Sequence, residues 1–144
     1  MKSVTLIFSL LLMSFSNWST DFESAKITAK QENKLILLNF SGSDWCGNCI
    51  LLKREIFEDT IFKQFSNNNL ILVNADFPRQ KKNQLTPNQQ KQNGQLAELY
   101  NKKGIFPLTI LLTSDGSILK IWEGKPKENT KEFISTLNSF ISKN

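Results

Sequence analysis

Two spacings of apolar residues alternate along this chain, and between them they lay out a series of helices and strands. Thr20-Asp21-Phe22-Glu23 has the form of a capping box with Thr20 as N-cap, so a first helix is expected over 21–32. The unbroken apolar run over 34–40, with Leu35-Ile36-Leu37-Leu38 at its heart, suits a strand buried on both faces. Ile50, Leu51, Leu52, Ile56 and Phe57 then fall at helical spacing to about Phe57. Glu58-Asp59-Thr60 interrupts them, and Ile61, Phe62 and Phe65 add a further helical turn or two. A second apolar strand over 70–75 ends at Asp76-Phe77-Pro78. The stretch 79–93, rich in Gln, Asn and Lys with Pro87 inside it, reads as a surface loop. A short helix over 95–101 follows, with Lys102 and Lys103 at its end and Gly104 as its stop. Strands over 108–113 and 118–122 flank Ser114-Asp115-Gly116-Ser117, an antiparallel hairpin signal. Asn129-x-x-Glu132 caps a last helix with Phe133, Ile134, Leu137, Phe140 and Ile141 on one face. This order predicts an α/β fold: a central mixed sheet flanked by helices, with the loop after the first strand at the C-terminal edge of the sheet, where open α/β folds place their sites.

Length adds that a chain of 144 residues with 40% apolar content suits one domain with one sizeable core. The apolar run over 4–15, after the basic start at Lys2, is too short to span a bilayer comfortably and matches a signal-peptide core. Ser14, Ser16 and Ser19 offer a cleavage region. The expected division is a leader over 1–19 and a domain over 20–144, exported to the periplasm or secreted from a bacterium, with no stable membrane span once the leader is gone. An uncleaved anchor or a buried first helix is the competing reading of the same run. The net charge is +5, or +4 without Lys2. Arg79, Lys81, Lys82, Lys91, Lys102 and Lys103 gather the positive charge, but no aromatic residues interleave with them as stacking platforms for bases would. Nucleic acid is therefore not an expected partner; the cluster could attract an acidic partner or a membrane surface, and a solvated loop surface is the favoured reading.

The candidate chemistry is in Ser43-Asp44-Trp45-Cys46-Gly47-Asn48-Cys49, which holds both cysteines of the chain. The strand before it and the helical pattern after it put Cys46 at a helix N-terminus, where unsatisfied N–H groups and the helix dipole favour a thiolate. Cys49, three residues on, shares the face of that first turn. The pair suits an attacking thiol with a resolving thiol beside it. As a structural staple a four-residue loop contributes only about 2 kcal/mol, against roughly 3 for a fifteen-residue loop, so stability is a weak reason for it. A structural zinc site within the chain lacks its remaining ligands, since there is no histidine and no third cysteine. A metal shared between two chains stays open.

Trp45-Cys46-Gly47-Asn48-Cys49 after a strand, with Ile105-Phe106-Pro107 ahead of another, resembles the thioredoxin superfamily. More closely, the loop Asp76-Phe77-Pro78-Arg79-Gln80-Lys81 ahead of a Leu96-to-Tyr100 helix is similar to that of small exported bacterial thioredoxin-like proteins. The resemblance covers roughly residues 22–141 and implies a thioredoxin fold. It also implies thiol–disulfide oxidoreductase activity on protein thiol and disulfide clients, an unidentified redox partner, and a monomer with no cofactor or metal beyond the redox-active disulfide. By the same resemblance Cys46 and Cys49 are catalytic, and Trp45, Gly47, Asn48, Phe106 and Pro107 form the client-binding surface, with Pro107 cis. Asp44 is expected to lie exposed beside Trp45.

The chain also departs from the family. Asn39 stands nearest the position of a buried aspartate that in thioredoxins helps move the proton of the resolving thiol. Ile50 replaces the usual lysine after the second cysteine, and Asn48 the usual proline between the two. A client-binding module with a permanent disulfide and a redox sensor remain as alternatives to an enzyme.

Overall fold

The computed structural model describes residues 17–143, so the apolar run over 4–15 lies outside the described residues. The order along the chain is α1 (Phe22–Glu32), β1 (Leu35–Ser41), α2 (Gly47–Leu52), α3 (Thr60–Asn69), β2 (Leu70–Asp76), α4 (Pro87–Tyr100), β3 (Leu108–Leu112), β4 (Ile118–Glu123) and α5 (Thr130–Ile141). The strands form one sheet in the order β2-β1-β3-β4. β1 runs parallel to β2 and antiparallel to β3, and β3 and β4 form the expected hairpin. This is the expected mixed sheet flanked by helices.

Residues of β1 alternate between two cores. Ile36, Leu38 and Phe40 face a cluster with Phe22, Ala25 and Ala29 of α1 and Leu96 of α4. Leu35 and Leu37 face the other, with Leu52, Phe57, Phe62, Phe133 and Leu137. Burial on both sides explains why the strand is a continuous apolar run rather than an alternating one. β1 is therefore the central rod on which both helical layers lean, and its C-terminal end carries the cysteine loop.

Several local expectations need correction. Helix α1 is capped by Asp21, whose carboxylate accepts from the Ser24 N–H at 3.0 Å and from the Ser24 hydroxyl at 2.8 Å, while Glu23 pairs with Lys26 instead of reaching back to Thr20. Two adjacent cap residues competed, and the charged one one step later also suits the positive end of the helix. The helix begun at the cysteines does not continue as α-helix to Phe57. It widens into a π turn over Lys53–Phe57, with the Glu58 N–H bonded to the Lys53 carbonyl at 2.8 Å. That widening lets Leu52, Ile56 and Phe57 all reach the core while Lys53, Arg54 and Glu55 stay outside.

The segment after the interruption is longer than a turn or two: α3 is a 10-residue helix capped by Asp59. The stretch 79–93 is not one loop. From Pro87 it belongs to α4, a 14-residue helix with Thr86 as N-cap and Pro87 in its first turn. Besides the buried Leu96, its anchors are polar: Asn93 Nδ2 donates to the Asp76 carbonyl at 2.9 Å and Gln89 Nε2 to the Thr20 carbonyl at 3.0 Å. Gly104, at φ 63°, turns the chain four residues past Tyr100, the last of α4, where Asn101 is the cap.

Ahead of α1, Ser19 forms a parallel bridge with Val73, donating its N–H to the Leu72 carbonyl and accepting from the Asn74 N–H. The indole of Trp18 lies 4.8 Å from the Phe57 ring, centroid to centroid. Residues assigned to the leader by sequence thus pack as part of the domain.

Candidate active site

Cys46 is the N-cap of α2, and its Sγ accepts the N–H of Cys49 at 3.2 Å. Cys46 and Cys49 form a disulfide, their Cα atoms 5.2 Å apart. The geometry follows from the sequence: β1 delivers the chain to the sheet edge, Gly42 turns it, and the cap brings a sulfur over the free N–H groups of the first turn. Exposure does not separate the two cysteines, at 7% for Cys46 and 5% for Cys49. Their surroundings do. The Gly42 N–H points at Cys49 Sγ at 3.5 Å, and Cys49 lines a cavity of about 420 Å³ that reaches inward along the sheet.

That cavity is walled on one side by Cys49, Ile50, Lys53 and Phe57, on the other by Asn39, Ser41, Ser43 and Asn74, with Trp18 against it. Its polar wall is one connected network. Asn39 Nδ2 donates to Asn74 Oδ1 at 2.9 Å, and Asn39 Oδ1 accepts from the Thr109 hydroxyl at 3.0 Å. The Ser41 hydroxyl lies 3.2 Å from Asn74 Oδ1 and 3.1 Å from Asp76 Oδ1. Asp76 also accepts the N–H and the hydroxyl of Ser43. Asn39 thus sits in the same cavity as the resolving cysteine of the sequence reading, its amide satisfied on both sides. Asn74 and Asp76 were missed, although both are polar at alternate positions of an otherwise apolar strand, opposite Asn39 and Ser41.

The outer rim is built on Trp45. Its Nε1–H donates to the Phe77 carbonyl at 2.7 Å, and its ring meets Phe106 edge-on, centroids 5.4 Å apart. Gly42 is the floor: a Cβ there would lie 2.3 Å from Trp45 Cε2, so only glycine permits this seat. The Phe106-Pro107 peptide is cis, as the resemblance implied. Ile105 is tied down by Asn101, whose side chain bonds both its N–H and its carbonyl. The half-buried Phe106 makes no backbone hydrogen bond among the described residues. Gly47 and Asn48 are exposed in the first turn of α2, and Pro107 is buried at the start of β3.

Asp44 does not lie free beside Trp45. Half-buried, it accepts the N–H groups of Arg79 and Gln80, both at 2.9 Å, and the Asn83 amide at 3.0 Å. These donors, the Arg79 N–H foremost, hold its carboxyl below the ordinary aspartate range. The clamp sets Arg79 over Trp45, with Cζ 3.7 Å from the ring centroid. No local signal links residues this far apart in the chain. Of the rest of the basic group, Lys81 and Lys82 follow Arg79 in the next turn, Lys91 lies on α4, and Lys103 pairs with Glu123 at 3.4 Å.

Among the described residues no group of three or more His, Cys, Asp or Glu side chains could hold a metal, and no helix is long and apolar enough to cross a membrane. A family model described as thioredoxin-like matches residues 17–114. Disulfide bond reductase DsbH of Chlamydia pneumoniae is 36% identical over 91 residues, covering 63% of this chain and 53% of that protein. Thioredoxin-related protein DsbJ of the same organism is 28% identical over 60 residues, covering 42% of this chain and 17% of that protein. The matches thus span about half or less of those relatives' lengths. The solved structure of a DsbH oxidoreductase superposes with a TM-score of 0.78 at 27% identity, covering 97% of this chain and 95% of that one.

Proposed function

The chain belongs to the thioredoxin-like family, and from that premise we propose that it is a thiol–disulfide oxidoreductase that reduces protein disulfides in an exported compartment. The observation that carries this reading is the Cys46–Cys49 disulfide closed across the first turn of α2, at the sheet edge, beside a cis proline and an unpaired stretch of backbone. The direction is supported by the likeness to a protein named as a disulfide bond reductase.

In the reduced form the Cys46 thiolate attacks one sulfur of a client disulfide. That S–S bond breaks, a client thiolate leaves, and a mixed disulfide forms on Cys46. Cys49 then loses its proton and attacks the Cys46 sulfur, the mixed disulfide breaks, and the second client thiolate leaves and takes up a proton. Two electrons have passed to the client, and the oxidised pair seen here results. Its return to the dithiol takes two electrons and two protons from a dithiol donor. Trp45, Gly47, Asn48, Phe106 and Pro107 form the client surface. The free N–H and carbonyl of Phe106 suit pairing with an extended client segment, a form of strand addition. The protein acts as a monomer and needs no bound cofactor. Export rests on the leader-like run over 4–15.

The decisive experiment reduces the protein with dithiothreitol, removes the reagent, and measures insulin reduction together with the potential of the pair. Stoichiometric reduction, abolished by Cys46→Ser, and a potential below that of the glutathione pool are expected. Failure to reduce any disulfide would remove the redox assignment. A potential well above that pool would reverse its direction.

A further inference from the structure

Resting on the client-reducing role of Cys46, we infer that Arg79 is a specificity-determining residue, set on Trp45 to pair with a carboxylate beside the cysteine of an acidic client segment. Three observations converge on it. Its backbone is fixed, because the Asp44 carboxylate takes the N–H groups of both Arg79 and Gln80 while the Phe77 carbonyl takes the Trp45 indole N–H. Its guanidinium lies 3.7 Å from the centre of the Trp45 ring, on the residue next to Cys46, and the same ring meets Phe106, next to the cis proline. Its charge is unspent: Arg79 is exposed and makes no ion pair among the described residues, whereas Lys26, Lys34, Lys53, Arg54, Lys103 and Lys125 each have an acidic partner.

Neither Asp44, which accepts the Arg79 N–H, nor Asp76, three residues before Arg79, forms an ion pair with its guanidinium. Asp44 is occupied by the loop it clamps, and Asp76 by Ser41 and Ser43. Stacking removes much of the rotamer freedom that an arginine otherwise loses on binding, and it leaves the rim of the guanidinium to a planar acceptor. Lys81 and Lys82, exposed in the short 3-10 turn that follows, extend the positive edge. A client strand paired with the Phe106 backbone and reaching Cys46 passes this edge, so the carboxylate of a Glu or Asp next to its cysteine meets Arg79.

The test uses heptapeptides whose single cysteine carries a methylthio disulfide, flanked by Glu, Gln or Lys, and follows single-turnover reduction by the pre-reduced protein in stopped flow. At low salt the order Glu, Gln, Lys is expected, with roughly tenfold between the extremes, compressed at high salt. The effect should lie in the half-saturating peptide concentration, not in the plateau rate. Arg79→Gln should narrow the spread to roughly twofold and Arg79→Lys should retain part of it, while Lys30→Gln, an equal loss of charge at an exposed position of α1, should leave it intact. Equal rates on all three peptides, or an undiminished spread in Arg79→Gln, would overturn the inference and leave the redox role standing. No reduction of any peptide would overturn both.

Discussion

The two halves of the β1–β2 ladder lie on the same sheet face and in the same register, yet they hold opposite chemistry. Leu35 and Leu37 stand opposite Leu70 and Leu72, in a dry cluster with Phe62, Phe133 and Leu137. Two residues further on, the same face carries Asn39 opposite Asn74 and Ser41 opposite Asp76, against the cavity that Cys49 lines. Every residue of β1 is buried in both halves. On β1 the difference is therefore not exposure but the chemistry that is buried: the apolar half holds the fold, and the polar half, opposite the half-buried Asn74 and Asp76, keeps its groups hydrogen-bonded beside Cys49. Buried amides and hydroxyls without partners would be costly there, and the network leaves Asn39 and Thr109 bonded to each other.

The largest effect should come from breaking the dry half. Leu37 is fully buried, and Leu37→Ala removes a side chain from a site walled by fixed aromatic rings. A loss of about 2–5 kcal/mol in urea unfolding is expected, with thiol exchange by the folded fraction unchanged. A loss below 1 kcal/mol, on the order of a surface change, would mean the two halves do not differ in the way described.

Asn39→Asp attacks the polar half. The aspartate keeps an acceptor for the Thr109 hydroxyl but no longer donates to Asn74 Oδ1, and its ionised form would face that oxygen in a buried site. Burial and the facing acceptor both favour the protonated acid, so its pKa should rise. About 1–3 kcal/mol of stability should be lost at neutral pH. In exchange the cavity gains a proton acceptor beside Cys49, and resolution of the mixed disulfide should accelerate as pH rises through the new pKa. Stopped-flow rates on both proteins check this. Identical pH profiles would place Asn39 outside the proton path of Cys49.

A smaller effect concerns the wall of the cavity. A chain begun at Thr20 lacks the Trp18 contact with Phe57 and both hydrogen bonds of Ser19 to β2. Compared with one begun at Asn17 it should be about 1–2 kcal/mol less stable. Leader cleavage is accordingly expected after Ser16, before the bridge to β2, and N-terminal sequencing of exported protein checks it. Equal stability of the two chains would return the boundary to Ser19.

The sheet and the cysteine turn were legible because they follow local rules: apolar runs bounded by breakers, and a cysteine at a strand-to-helix junction. The second half of α4 was legible as the short helix over 95–101, but its first half was hidden because only Asn93 and Leu96 of the helix are buried, so no apolar period marks it, although Thr86-Pro87 is a start signal that can be read. The π turn has no sequence signature, since it answers to the positions of Leu52 and Phe57 in the core. Arg79 on Trp45 was out of reach for another reason. Its placement depends on Asp44, thirty-five residues earlier, choosing two backbone N–H groups, and a short polar residue beside a tryptophan does not announce such a partner.

That clamp gives the smallest and most local prediction. The carboxyl of Asp44 is held below the ordinary aspartate range by the Arg79 and Gln80 N–H groups and the Asn83 amide. The folded pKa is thus depressed relative to the unfolded one. The contribution of the clamp is then fully present above the unfolded aspartate value and is lost as the pH falls through the lower folded value. Because the group is near the surface, the melting temperature should hardly change, and the amides should report instead. In a pH titration followed by NMR, the Arg79 and Gln80 N–H resonances should move together, with a common midpoint below that of an unperturbed aspartate, while the amides of the fully buried Ile110 and Leu111 in β3 stay still. Asp44→Ala should abolish that transition and shift the Trp45 fluorescence as Arg79 leaves the ring. A midpoint at or above the ordinary aspartate value would mean that the rim is open in solution, and that the dry half of the sheet, not the clamp, is all that orders this end of the molecule.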